Sequence, residues 1–448
     1  MTAPEILLDG RVSLYLGDCL EVLNRLPDNS LDSAVTDPPY HLTSIVNRFG
    51  SEGAAAAKSG KTGAFKRASA GFMGKKWDGG DIAFRPDVWR EVFRVLKPGA
   101  YLLAFASTRG FGRMSCAIED AGFIAHPLIA ELHAAPGLDA FLTLLSPDQA
   151  AVFWKMVEAA DPGGMMAWVF GQGFPKATKV KAEGYEAFRY GGQSLKPAIE
   201  PIFMGQKPFE KGLSGTANIL KHGTGAVNIG ACRIESEKLT GWGGKSAGGN
   251  TWNDGNCGLG QSGEARPVDG RWPANLIHDG SDDVLAAFPA APGMQAPVKP
   301  DSGSGQKTYG ILGAFATNNY HQPRGDNGSA ARFFYSAKAD ADDRIGSDHP
   351  TVKPVDLMRY LVRLVTPPGG TVLDPFAGTG TTGAAAFYEG FNAVLIERDP
   401  ESQADIRRRM ALCLAGPDER KRERIKARQK GEAPDAGPLF SKRLTTGA

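Results

Sequence analysis

The sequence predicts an α/β protein with a parallel sheet and a glycine-rich insert, on three observations. Residues 371–396 read as strand, glycine loop, helix, strand. A separate strand over 31–36 runs into Asp37-Pro-Pro-Tyr40. Between these regions glycine accumulates: 25 of the 57 glycines fall from Gly205 to Gly346. The chain has 448 residues, enough for about two or three domains. Its apolar share of 42% and charged share of 22% are those of a folded chain and exclude wholesale disorder.

Ser13-Leu-Tyr-Leu16 reads as a short strand. Asp18 is placed to cap the next helix, with Glu21 completing a capping box, and Leu20, Leu23 and Leu26 follow at near-helical spacing. Leu31–Thr36 is a strand that ends at Asp37-Pro-Pro-Tyr40, where two prolines forbid continuation. Residues 41–80 read as a long loop, with six basic residues and no acid between Lys58 and Lys76. Trp89–Leu96 reads as a helix stopped by Lys97-Pro-Gly99. Tyr101–Ala106 is a buried strand, and Met114–Asp120 a helix closed by Gly122. The stretch from Gly205 to Gly346 reads as a loop-rich inserted domain or a lobe of irregular strands, and its Trp242, Trp252 and Trp272 as packing a small core.

After the insert, His349-Pro-Thr-Val-Lys-Pro354 leads into a helix with Pro354 at its first position. Met358, Leu361, Val362 and Val365 mark its apolar face, and Pro367-Pro-Gly-Gly370 ends it. Thr371-Val-Leu-Asp374 is a strand, Pro375–Gly380 a tight loop and Thr381–Glu389 a helix. Asn392–Ile396 is the next strand, with Glu397 at its tip. Strand–helix–strand in this order makes a βαβ unit and a parallel sheet. Past Gly416 the composition predicts a fraying basic helix and then a disordered tail. The expected organisation is therefore residues 1–205 and 336–415 as two halves of one α/β domain, 206–335 as the insert and 416–448 as the tail.

Several function classes fall away. Lys plus Arg number 51 and Asp plus Glu 49, a net charge of +2, so any basic surface is local. The five cysteines, Cys19, Cys116, Cys232, Cys257 and Cys413, form no C-x-x-C pair, which argues against a zinc cluster or disulfide framework and fits a reducing cytoplasm. No metal site is evident. The longest apolar runs are too short to span a bilayer, and Pro4, Glu5 and Asp9 do not suit a signal peptide.

Gly378-Thr-Gly-Thr-Thr-Gly383 has the form G-x-G-x-x-G between a strand and a helix. Asp374 closes the strand before it and Glu397 the strand after. An acid at that second tip can accept hydrogen bonds from both ribose hydroxyls of an adenosine. No Gly-Lys-Ser/Thr follows, which disfavours a phosphate-gripping loop. NAD and S-adenosylmethionine both remain on this evidence. Asp37-Pro-Pro-Tyr40 is chemically pointed in a different way. The two prolines hold the Pro38 carbonyl away from ladder pairing, and Asp37 adds a second acceptor. Two acceptors match an exocyclic amine, and holding both N–H bonds turns its lone pair toward an electrophile. Tyr40 offers a stacking face for a base, which must leave a duplex to be reached.

Together these motifs resemble those of the DNA amino-methyltransferases, which use S-adenosylmethionine to methylate adenine N6 or cytosine N4. Asp37-Pro-Pro-Tyr40 is similar to their catalytic motif, Asp374-Pro-Phe-Ala-Gly-Thr-Gly380 to their cofactor loop, and His349–Pro354 to the segment before it. The order, catalytic motif first and cofactor loop last, resembles the β group, in phage- and prophage-like form. The resemblance implies a doubly wound, mostly parallel, Rossmann-like methyltransferase sheet, permuted, with the insert as target-recognition region. It implies that Asp37, Pro38, Pro39 and Tyr40 hold the target base. Asp18, Thr351, Lys353, Asp374, Pro375, Phe376, Gly378, Gly380 and Glu397 line the cofactor, with Lys353 and Thr351 close to its methionine end and Asp374 facing its ammonium. Asp before Pro-Pro-Tyr tilts the reading toward adenine N6, with cytosine N4 as the alternative. No cysteine follows a proline, so the cysteine-5 chemistry of cytosine C5 enzymes is disfavoured.

Double-stranded DNA is the partner that this resemblance implies, with a homodimer and a cognate restriction endonuclease as further partners and no membrane. Lys58, Lys61, Lys66, Arg67, Lys75 and Lys76 are the candidate phosphate contacts. Trp168–Lys176 and Leu195–Glu200 resemble a region of the phage-type members, and Phe174 is expected near the flipped base.

Overall fold

The computed structural model describes residues 3–40, 81–125, 137–160, 164–235, 270–290, 328–337 and 352–416, apart from 172, 174, 175 and 194. It adds positions 343, 347, 419, 420, 422 and 425 and the backbone of 308–310 and 313–315.

The N-terminal elements are β1 (Glu5–Leu7), β2 (Val12–Leu16), α1 (Cys19–Leu23), β3 (Leu31–Thr36), α2 (Pro86–Val95), β4 (Leu96–Phe105) and α3 (Phe111–Glu119). Two helices follow, α4 (Leu138–Thr143) and α5 (Pro147–Ala160), and then β5 (Met165–Val169), β6 (Lys176–Lys179), β7 (Arg189–Gln193), β8 (Ile199–Gln206) and α6 (Gly215–His222). The middle of the chain contributes β9 (Leu276–His278), α7 (Asp282–Ala287), β10 (Thr308–Gly310), β11 (Gly313–Phe315) and β12 (Tyr335–Ser336). The C-terminal part is α8 (Val355–Val365), β13 (Thr371–Asp374), α9 (Thr381–Tyr388), β14 (Asn392–Glu397) and α10 (Pro400–Leu414).

Ten strands form one sheet in the order β1-β2-β14-β13-β3-β4-β8-β5-β9-β12. From β2 to β4 every pairing is parallel. Strand β8 runs against both its neighbours, β4 and β5, and β9 and β12 continue parallel to β5. From β13 the chain moves to β14 on one side; from β3 it moves to β4 on the other. The strand order therefore reverses between β13 and β3, the place where open α/β sheets bind ligands at their carboxyl ends.

Both faces are covered. Val372 of β13 packs in one core with Leu357, Leu361, Ala384, Ile406 and Met410 of α8, α9 and α10. Its neighbour Leu373 packs in the other with Val22, Trp89, Val92 and Ile118 of α1, α2 and α3. This alternation along one strand is the period-2 pattern of a sheet buried on both sides. Trp89 is fully buried at no polar cost, because its indole N–H donates to Ala83 O at 2.9 Å. The close seat of α9 needs Gly383, where a Cβ would lie 2.7 Å from Leu395 Cδ1.

Some expectations are adjusted. Helix α2 starts at Pro86 rather than Trp89, since proline is tolerated in a first turn and Asp87 favours it. Lys97-Pro-Gly99 belongs to β4: Leu96 pairs with Leu31 before the register shifts to Ser33↔Tyr101. The glycine-rich stretch also joins the main sheet. It lends β9 and β12 to the main sheet, and Cys232 and Ile277 to the core under α8. Trp272 is 59% exposed and lies under the Arg233 guanidinium at 5.3 Å instead of packing a core. Trp242, Trp252, Cys257, the Lys58–Lys76 loop and most of the tail lie outside the described residues.

Candidate active site at the β3–β13 junction

Strands β3 and β13 are neighbours, with Val372 opposite Ser33 and Leu373 opposite Ala34. Thr36 Oγ1 donates to Asp374 Oδ1 at 2.6 Å, so Asp37-Pro-Pro-Tyr40 and Pro375–Gly380 leave the sheet side by side. Asp374 also accepts from the Phe376 N–H at 3.1 Å and from Thr382 Oγ1 at 2.5 Å. Burial pushes its carboxyl up to about 6, against those bonds. Both oxygens are engaged within the chain, and this carboxylate straps the glycine loop to β3.

Glu397 ends β14, next door to β13. Its Oε2 accepts from the Gly378 N–H and its Oε1 from the Asp399 N–H, each at 2.8 Å. Burial pushes it up to about 7. Its backbone carbonyl accepts from the Gly17 N–H at 3.0 Å, which brings the start of α1 alongside. Asp18 caps that helix through the Leu20 N–H at 2.9 Å, as its position predicts. Gly380 adopts φ +76° at the entry to α9, a left-handed conformation that favours glycine. Phe376 is half-buried, its ring edge-on to Trp89 at 6.3 Å.

The tetrapeptide side chains meet a second pair of residues from distant segments. Lys353 Nζ lies 2.6 Å from Asp37 Oδ2 and 3.1 Å from Glu200 Oε2, with only 6% of the lysine side chain exposed. The ammonium sits over the rings of Tyr40 at 5.4 Å and Phe105 at 4.9 Å. Tyr40 OH donates to Asp37 Oδ1 at 2.8 Å and accepts from Lys353 Nζ at 3.2 Å. Glu200 Oε2 is a longer 3.4 Å from that hydroxyl, whose single proton goes to the closer acceptor.

Two carboxylates thus share one ammonium. Burial alone would lower Lys353, but Asp37, and Glu200 after it, hold it above the ordinary lysine value. Burial raises Glu200, the Lys353 charge opposes that rise, and Asp37 adds to it. Tyr40 is held well above the ordinary phenol range by burial, with Asp37 and Glu200 adding to the rise. Pro38, Pro39 and Tyr40 also line a small hollow with Ala83, Phe84, Ala106, Ser107, Gly110 and Met114.

Among the expected site residues, the structure gathers Asp37, Pro38, Pro39, Tyr40 and Lys353 at one point. It gathers Asp18, Asp374, Pro375, Phe376, Gly378, Gly380 and Glu397 along the adjoining strand ends. Lys353, expected near the methionine end of a cofactor, also reaches Asp37. Thr351, Phe174 and the six basic residues of the 58–76 loop lie outside the described residues. Glu200, at the end of the Leu195–Glu200 stretch, is a site residue that the sequence motifs do not assign. The signal was a lone acid at the start of an otherwise apolar strand, Ile199-Glu-Pro-Ile-Phe-Met204. In the fold it stands in register with Trp168 of β5.

A mostly parallel sheet with one reversed inner strand, a glycine loop at its switch point and an Asp-Pro-Pro-Tyr turn beside it defines a Rossmann-like methyltransferase. Residues 166–408, more than half of the chain, match the family model described as DNA methylase, N6_N4_Mtase; the chain belongs to that family. Asp37–Tyr40 precede the matched stretch. The type II methyltransferase M.HindIII of Haemophilus influenzae is 26% identical over 48% of this chain and 64% of its own length. The DNA adenine methyltransferase YhdJ of Escherichia coli is 44% identical over 12% of this chain and 18% of its own. The chain therefore spans less than two thirds of either relative. The solved PvuII DNA methyltransferase, cytosine-N4-specific, aligns over 96% of both chains at 13% identity with a TM-score of 0.40.

Proposed function

We propose that the protein is a site-specific DNA methyltransferase that moves a methyl group from S-adenosylmethionine to adenine N6 of a base flipped out of double-stranded DNA. The observation that carries this reading is the meeting of Asp37 and Tyr40 with Lys353 and Glu200, next to the Asp374–Gly380 loop at the switch point of the sheet.

The residues present fit an adenosyl cofactor. Each Glu397 oxygen accepts one internal N–H, which leaves a lone pair on each for a ribose hydroxyl. Gly378, Gly380 and Phe376 shape the loop beside it, and Asp18 lies across from it at the start of α1. Asp374 contributes by holding the loop in place. When bound, the cofactor supplies an electrophilic sulfonium methyl. The chain's residues do the rest. Asp37 and the Pro38 carbonyl accept the two N–H bonds of the target amine, and Tyr40 stacks on the base. Lys353, 2.6 Å from Asp37 Oδ2, holds that carboxylate in place. The Lys58–Lys76 loop contacts phosphates.

The test is expression in a methylation-free bacterial host followed by modification-sensitive sequencing of its genome. N6-methyladenine at one recurring sequence is the expected result. N4-methylcytosine would transfer the same geometry to the other amine, and an unmodified genome would remove the activity. Asp37→Ala is expected to abolish turnover while leaving cofactor affinity near wild type by isothermal titration calorimetry; equal loss of both would count against its role.

A further inference from the structure

Strands β6 and β7 form a two-stranded sheet of their own, apart from the main one. Its register sets Lys179 directly opposite Arg189. Like charges opposed across a hairpin destabilise it. Among the described residues, no acid is paired with Lys179, Lys181 or Arg189, all of them exposed; Arg189 Nη1 donates to the Glu186 and Phe188 carbonyls at 2.8 Å each, which leaves its other guanidinium donors outward. The hairpin's own acids, Glu183 and Glu186, sit toward the turn, where Glu186 Oε1 accepts from the Gly184 N–H at 2.9 Å. Tyr185, Phe188 and Tyr190 are 54%, 59% and 60% exposed. Tyr190 pairs with Thr178, so it points away from the Lys179–Arg189 face. Phe188, two residues earlier, shares its side.

The hairpin's place matters as much as its charge. It lies between the end of β5 and the start of β8, which are joined by the pair Val169↔Ile199. Glu200, the next residue, is the one that reaches Lys353. Both β4 and β5 run against β8, so the hairpin rises from the same carboxyl-end edge as the candidate active site.

We infer that the β6–β7 hairpin is a duplex-DNA contact, its Lys179, Lys181 and Arg189 side binding backbone phosphates beside the target base. The inference rests on the reading that the protein acts on DNA. Phosphates favour this occupant because an anion between Lys179 and Arg189 turns their repulsion into two charge-assisted contacts. A two-stranded ribbon also has the width to enter a major groove.

Lys179→Glu tests it. The substitution places an acid opposite Arg189, so a purely structural hairpin gains and a DNA contact loses. The expected result is a thermal midpoint no lower than wild type and unchanged S-adenosylmethionine affinity. Binding to a fluorescein-labelled random-sequence duplex should weaken several-fold, and the slope of log affinity against log salt should flatten by about 1–2. The pair Lys179→Ala with Arg189→Ala should flatten it similarly. An unaltered slope overturns the inference, as does a change in sedimentation with DNA affinity intact, which would assign the face to a second copy. Wild-type protein that leaves the duplex unmethylated while Lys179→Glu still flattens its salt slope would remove methyl transfer and keep the hairpin contact. Methylation with an unaffected Lys179→Glu slope would do the reverse.

Discussion

Lys353 is a nearly buried ammonium that touches two carboxylates and a phenol. Removing one partner of such a cluster leaves uncompensated charge, at a cost of about 3–5 kcal/mol. Lys353→Met is expected to lose stability on that scale. It should also become less stable as pH rises through the carboxylate range, because Glu200, raised by burial and by the neighbouring Asp37, must then ionise without the opposing ammonium. Urea denaturation across that range checks both points, and a flat pH response would place the two carboxylates apart. Glu397 titrates with its own sign. Its folded value of about 7 lies above the ordinary 4.5, so the folded chain holds the proton more tightly than the unfolded one. Cofactor-free stability should therefore fall as pH rises between those values, and Glu397→Gln should flatten that fall. Cofactor affinity should move oppositely, since only the ionised carboxylate offers acceptors to both ribose hydroxyls. Glu397→Gln should weaken binding by about 1.5–3 kcal/mol, measured calorimetrically above the neutral range.

Helix α9 is where an element's seat depends on one missing methyl. Gly383→Ala would drive a Cβ to 2.7 Å from Leu395 Cδ1 and 3.1 Å from Met410 Cε, both in a closed core. Overpacking of this kind costs about 1–3 kcal/mol. A lowered melting temperature is expected, with weaker cofactor binding because α9 carries the glycine loop at its start. Elements of this sort were readable from sequence. Strand β3 is stopped by Pro38-Pro39, and the β13–α9–β14 unit is bounded by prolines and glycines, with its apolar residues in short runs. Strand β8 was not. Its partners β4 and β5 are remote in the chain, and nothing local says that an acid on it will meet a lysine more than a hundred residues away. The candidate site divides along the same line. Asp37, Tyr40, Asp374 and Glu397 stand at strand ends that punctuation reveals. The pairing of Lys353 with Asp37 and Glu200 exists only once the sheet is assembled, and so does the Lys179–Arg189 opposition.

The sheet order ties the two chain ends into one structure. Strands β14 and β13 lie between β2 and β3, so the C-terminal part fills the gap that the N-terminal part leaves, and neither completes a sheet alone. Buried side chains lock the seam. Thr36 donates to Asp374, Ser33 Oγ lies 2.8 Å from Thr366 Oγ1, and Asp32 Oδ2 accepts from the Thr371 N–H at 2.8 Å. Each joins β3 to the segment around β13, and Asp32 is tied as well to Lys97. Such interleaving leaves no boundary across which one half can unfold while the other keeps its core. Thermal unfolding followed by hydrogen exchange is therefore expected to release residues 31–36 and 371–374 together. Saturating S-adenosylmethionine should raise the protection of both by the same free energy, because a ligand that binds only the folded state stabilises everything that unfolds with its site. Stabilisation confined to 371–397, with 31–36 opening at its cofactor-free rate, would mean that the two halves fold as separate units and that the site between them is not built by the sheet.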